Sequence, residues 1–121
     1  PLAFHAGFNW EDGSMAQLNR FLSMHALSFV HCNLIHMTNW VINGLPERFP
    51  DLDVMWIESG LAWLPYLMQR LDSEYMMRSS EAPLLKRKPS EYIKEMGPFF
   101  VGRVIYQAPV PDHAKGGGTG Y

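Results

Sequence analysis

Between Arg20 and Glu47 the chain has no Lys, Arg, Asp or Glu. A charge-free run of that length raises the question of a membrane span. It holds His25, His31, His36, Asn33, Asn39 and Asn43, however, and polar groups in that number are costly in lipid. The run therefore reads as a helix buried inside a larger soluble protein. An excess of one sign of charge is also missing. The formal net charge is −2 and the longest basic cluster is Lys86-Arg87-Lys88, so there is no electrostatic footprint for nucleic acid. A single cysteine, Cys32, excludes an intrachain disulfide and suits a reducing, cytoplasmic compartment. A basic leader is absent, and the chain opens at Pro1 on an apolar run, which places the expected true N-terminus upstream. No internal repeat is visible.

What is present is core-forming. The composition is 47% hydrophobic and 13% aromatic, too apolar for a disordered chain and sufficient for a packed domain. Pro1 to Ala6 predicts a short strand ending in Phe4-His5-Ala6-Gly7. Asp12-Gly13 marks a turn, and Ser14 with Gln17 matches a capping box for a following helix. Leu27, Val30, Leu34, Met37 and Val41 recur at helical spacing, with His25, Phe29, Cys32, His36 and Trp40 on a second face. Burial on two sides follows, with a break expected near Ser23. Gly44, Pro46 and Pro50 end the segment.

Asp53 to Glu58 has an apolar centre without alternation, as expected for a parallel strand covered on both faces. Ser59-Gly60 makes its exit. A second helix is expected from Ala62 to Arg78, packing through Leu64, Leu67, Met68, Leu71 and Tyr75. Its charged positions, Arg70, Asp72 and Glu74, read as an exposed side with an Arg70–Glu74 pair. Ser90 is a candidate cap for a short helix over Glu91 to Met96. Phe99 to Tyr106 is a candidate third strand, and Ala114 to Tyr121 is Gly-rich. Alternating strand and helix argue for βα units on a parallel sheet.

In such a sheet, chemistry sits at the carboxyl ends of the strands. His5 closes the first strand and Glu58 the second. Successive strands are usually neighbours, so the two can share one rim. A neutral imidazole suits zinc or manganese, and a nearby carboxylate can ligate or move a proton. The plainer alternative is two ordinary loop-facing polar residues. His25, His31 and His36 lack the i, i+4 bite of a helical metal site and read as buried or half-buried rings. Cys32 and the methionines read as packing. Arg78 and Glu81 sit where a loop can bend over the sheet.

The run Gly44-Leu45-Pro46-Glu47-Arg48-Phe49-Pro50-Asp51-Leu52-Asp53-Val54, then Trp56-Ile57-Glu58-Ser59-Gly60, resembles the amidohydrolase-related family of metal-dependent hydrolases and decarboxylases. The likeness continues through Trp63-Leu64-Pro65, Gln69-Arg70-Leu71-Asp72 and Lys88-Pro89-Ser90-Glu91-Tyr92, over about residues 1 to 96. It implies a (β/α)8 barrel with one divalent metal, usually zinc. The metal is held by a His-x-His pair, a further His on a middle strand, and a late Asp. His5 takes the place of the middle-strand ligand. Where the decarboxylases commonly carry an active-site His, this chain has Glu58. The His-x-His pair is absent, and Asp112 lies in a stretch that no longer follows the family.

Residues 1–96 are thus expected to be two to three βα units of a partial TIM-type barrel, with 97–121 a divergent tail. A barrel of this type needs about 250 residues. The full-length protein would be a hydrolase or carboxy-lyase for a small carboxylated or cyclic substrate, with His5 as metal ligand and Glu58 as catalytic proton-transfer or supporting group. The isolated chain would be inactive, and open strand edges would drive it toward homo-oligomers. Two alternatives are a non-catalytic helical interaction or membrane-associated module built on Phe21 to Asn43, and a metal-free barrel homologue.

Overall fold

The computed structural model describes residues 1–7 and 11–96. They form β1 (Leu2–His5), α1 (Phe21–Ile42), a short α2 (Leu45–Arg48), β2 (Val54–Ile57), α3 (Trp63–Arg78), a 3₁₀ turn (Ser79–Glu81) and α4 (Pro89–Glu95). The segments Phe99 to Tyr106 and Ala114 to Tyr121 lie outside the described residues, as do Asp112 and His113. The class is α/β, with two parallel strands in alternation with helices. The described residues form this one strand pair and no closed barrel.

The pairing runs in register from Leu2 opposite Val54 to His5 opposite Ile57. Side chains alternate between the two faces of a sheet. One face carries Phe4, Val54 and Trp56, and Trp56 is fully buried. The Phe4 and Trp56 rings stack at 4.7 Å, an arrangement that contributes about 0.5–1.5 kcal/mol beyond the area they bury. Trp40 meets Phe4 edge-on at 5.9 Å, which brings α1 onto this face. The other face carries exposed Ala3 and His5 and half-buried Met55 and Ile57. Burial of β2 on both faces, expected from its unbroken apolar run, is therefore not observed. The described helices pack on the Trp56 face only.

The helix α1 is continuous over its 22 residues, without a break at Ser23. It also starts later than the capping box predicts. Asp12 accepts hydrogen bonds from the Ser14 backbone N–H at 2.9 Å and from its hydroxyl at 2.7 Å. This local turn engages Ser14 and competes with capping. Arg20 stands at the cap position without a side-chain bond. Met37 and Val41 of the expected stripe are buried and Val30 and Leu34 partly so, whereas Leu27 is exposed. Met24, Ser28 and Asn33 are buried as well.

Gly44 opens α2 rather than simply ending α1. Its φ of +67° is left-handed, and Pro46 falls in the first turn of α2, where its missing N–H costs nothing. A Cβ at this position would collide with the Cβ of Leu84.

The helix α3 buries Trp63, Leu67 and Leu71, with Leu64, Met68 and Tyr75 partly buried beside them, as the spacing predicts. Arg70 pairs with Glu74 at 2.7 Å, and Arg78 pairs with the same carboxylate. Asp72, expected to face solvent, accepts from the Ser90 backbone N–H at 2.9 Å and from its hydroxyl at 2.7 Å. Ser90 is thus inside α4, tied to α3, and Lys88 is the residue at the cap. The fully buried Tyr92 extends the junction to α2. Its hydroxyl donates to Glu47 Oε1 at 2.5 Å and accepts the Lys86 N–H at 3.0 Å. Lys86 Nζ lies 2.8 Å from Glu47 Oε2. Among the described residues no helix is long and apolar enough to cross a membrane.

Substitution of Gly44 by Ala is expected to destabilise the chain by about 2–4 kcal/mol, from left-handed strain plus overpacking against Leu84. Adding Leu84→Gly should recover the steric part. Urea unfolding of the single and double variants measures both, and equal stability of Gly44→Ala and wild type would contradict the assignment.

Burial, with the bond to Glu47, pushes the Tyr92 phenol above its ordinary value. Its stabilisation is complete below about pH 10 and is lost as pH rises through the raised value. Bonds from Lys86 and Tyr92 hold Glu47 below the usual carboxylate range, so its stabilisation is complete above the ordinary carboxylate value and is lost as pH falls from there through the lowered one. Tyr92→Phe is expected to cost about 1–2 kcal/mol at neutral pH and to remove the alkaline decline contributed by the phenol. Urea midpoints across a pH series provide the measurement, and an unaltered alkaline limb would rule Tyr92 out as its source.

Candidate functional site

The parallel register determines what meets at the carboxyl ends of the strands. His5 is the last residue of β1, opposite Ile57, and Glu58 follows directly. Glu58 has a φ of +64°, and it is the one non-glycine residue with positive φ among the described residues. This left-handed step at the strand end accompanies a carboxylate set toward β1. Glu58 Oε1 lies 3.6 Å from His5 Nε2. The side chains keep 59% (His5) and 36% (Glu58) of their exposure, so both are open to a ligand.

The tautomer of His5 follows from its other nitrogen. Nδ1 is 2.6 Å from the Ala6 carbonyl oxygen, which can only accept. Nδ1 therefore carries the proton, and in a neutral ring Nε2 presents a lone pair. That lone pair faces a carboxylate beyond normal hydrogen-bond distance. A proton on Nε2 or a cation shared by the two groups would turn this approach into an attraction, and both groups are otherwise open to water. A backbone carbonyl that fixes the far nitrogen is also how metal-binding imidazoles are commonly oriented.

The loop after Glu58 is held from below. Trp63 Nε1 donates to the Gly60 carbonyl at 2.9 Å. Gly60 has a φ of +67°, so the exit from β2 contains two left-handed residues within three positions. In the sequence Ser59 reads only as part of the strand exit and Trp63 only as part of the resemblance run, and neither carries a chemical signal there.

The other histidines go to three separate surroundings. His25 lies between the Phe21 and Phe29 rings, at 5.2 and 4.6 Å. His31 Nδ1 is 3.3 Å from Ser14 Oγ, and His36 stacks on Phe4 at 5.4 Å. Cys32 Sγ lies 3.8 Å from the Gly7 carbonyl. Among the described residues no group of three or more His, Cys, Asp or Glu side chains converges as a metal site. Arg78 is engaged with Glu74 on α3 and lines, with Glu81 and Ile42, a hollow at the C-terminal ends of α1 and α3, away from His5.

A cavity of about 210 Å³ lies at the opposite, amino end of β2, lined by residues that include Trp40, Glu47, Asp53, Arg87 and Tyr92. Most of its polar groups are paired: Tyr92 and Lys86 bond Glu47, and Arg87 holds Glu95 through both nitrogens while lying 4.5 Å over the Tyr92 ring. That arrangement is a packing junction between α2, the loop before α4, and α4. The His5–Glu58 end, by contrast, sets two polar side chains facing each other in the open at the carboxyl ends of the strands. No family model matches this chain, and no curated protein matches it significantly.

Backbone strain at Glu58 has a direct test. Glu58→Gly removes the carboxylate and the strain, whereas Glu58→Ala removes the carboxylate and keeps the strain. The Gly variant is expected to be more stable than the Ala variant by about 1 kcal/mol. Denaturant titration of the pair decides it, and an Ala variant as stable as the Gly variant would exclude a left-handed Glu58.

Proposed function

We propose that the chain is a section of a (β/α)8 barrel of the amidohydrolase-related type. The complete barrel is a metal-dependent hydrolase or carboxy-lyase for a small carboxylated or cyclic substrate. The observation that carries this reading is the placement of His5 Nε2, with its lone pair, 3.6 Å from the Glu58 carboxylate at the carboxyl ends of two neighbouring parallel strands. The sequence resemblance over about residues 1 to 96 supports it.

The barrel placement also accounts for surfaces that this section leaves open. Met55 and Ile57, on the uncovered sheet face, take inward positions of a barrel wall. Exposed Phe21, Leu22, Leu27 and Ile35 of α1, and Tyr66, Met76 and Met77 of α3, occupy flanks that adjacent helices of the outer ring would cover. The same surfaces would join copies into a homo-oligomer when the chain is isolated.

The fit to a divalent metal, zinc in the first instance, is partial. A catalytic zinc takes three protein ligands, and this chain brings one imidazole and one carboxylate together among its described residues. The missing donors belong to strands outside these residues. Within the chain, His5 would offer its Nε2 as a ligand, and Glu58, open to solvent, would serve as a proton acceptor beside it.

The test uses the full-length protein. His5→Ala is expected to lose bound metal, measured by elemental analysis. Glu58→Gln is expected to keep the metal and to lower turnover by about 10²–10⁴-fold. The 121-residue chain alone is expected to show no metal-dependent turnover. Unchanged metal content in His5→Ala removes His5 from the site, and turnover by the isolated chain overturns the incomplete-barrel reading.

A further inference from the structure

We propose that Asn33 is the positioning residue for Glu58; the inference rests on the reading of His5 and Glu58 as the reactive pair. Asn33 lies in the charge-free helix α1 and is fully buried. A buried amide is unfavourable unless its hydrogen bonds are made. Asn33 Nδ2 donates to the Ile57 carbonyl at 3.3 Å and to Ser59 Oγ at 2.9 Å. A carbonyl oxygen can only accept, so the contact with Ile57 fixes which end of the amide is nitrogen.

The two acceptors belong to the residues directly before and after Glu58. One side chain therefore spans the residue whose backbone is left-handed. Such a conformation persists in a non-glycine residue only where its surroundings over-determine it. The Ile57 carbonyl is held twice, since it also accepts the Ala6 N–H at 3.0 Å. That bond joins the end of β1, where His5 sits, to the same peptide that Asn33 grips. The amide of Asn33 thus links the helix layer to both halves of the pair.

The other end of the amide strengthens the argument. Asn33 Oδ1 is buried and has no hydrogen-bond partner among the described residues. An apolar side chain of similar volume would fill the space without that penalty. The residue is explained by its two donated bonds, and both go to the segment that carries Glu58.

The test is NMR on the isotope-labelled protein, monomeric or self-associated, with the Phe4–Trp56 ring contacts as the check that the strand pair is formed. Two readouts are taken: the one-bond Cα–Hα coupling of Glu58, which separates positive from negative φ, and the nuclear Overhauser contact between the His5 ring and the Glu58 side chain. Asn33→Leu keeps the branched shape and heavy-atom count and removes both donors. It is expected to lower the population of left-handed Glu58 about tenfold and to abolish the contact with His5, while the Phe4–Trp56 ring contacts persist. Ser59→Ala, the milder change, is expected to give an intermediate loss. A folded Asn33→Leu chain with both Glu58 readouts unchanged overturns the proposal. If that variant does not fold, unchanged readouts in Ser59→Ala overturn it. A wild-type chain with positive φ at Glu58 but no contact to His5 would defeat the reactive-pair reading alone, because the effect of Asn33 on φ is measured separately.

Discussion

Four residues of parallel pairing, Leu2 to His5 against Val54 to Ile57, bring the ends of the two strands together, and the rest of the arrangement depends on them. The register is set by the rings on the buried face, where Phe4 stacks on Trp56 and Trp40 closes from α1. A slip by one residue would turn Phe4 to the open face and His5 into the core. The hydrophobic energy of one face therefore aims the polar chemistry of the other. The imidazole needs no dedicated scaffold beyond the strand it ends and the peptide that follows it.

The two ends of the strand pair do different work. At the amino end of β2, Glu47, Lys86, Tyr92, Arg87 and Glu95 close on one another and lock α2 to α4. At the carboxyl end, His5 and Glu58 face each other with groups that do not satisfy one another directly. Polar groups that complete each other hold elements together. Acceptors set opposite one another invite a proton or a cation. Under the proposed reading, the carboxyl end is where α/β barrels place their chemistry and the amino end where they place stability.

Much of the frame was legible in the sequence, because hydrophobic period and strand-helix alternation are local signals. The strand ending at His5, the strand before Glu58 and the stripe of α3 all follow from them. The errors have physical causes. Ser14 matches a capping box, but Asp12, two residues earlier, accepts from both its backbone N–H and its hydroxyl. Ser90 looked like a cap and Asp72 like a surface charge, whereas each is the partner of the other across two helices. Nothing within a short window reveals a bond between residues 72 and 90. The same holds for Asn33: in the sequence it is one polar residue in an apolar helix, and only the fold sets it beneath residues 57 and 59. The juxtaposition of His5 and Glu58 was readable because it needs only two strand ends and the rule that successive parallel strands are neighbours.

The bond that chooses the protonated nitrogen of His5 comes from the main chain, at the carbonyl of Ala6. Where an imidazole is oriented by a carboxylate side chain, one codon change can erase the orienting group. Here no replacement of the Ala6 side chain deletes the acceptor, since every amino acid brings the same carbonyl. The acceptor itself thus survives any change at its neighbour, and because Ala6 is buried, a larger side chain there would reach the tautomer only by altering the path of the backbone.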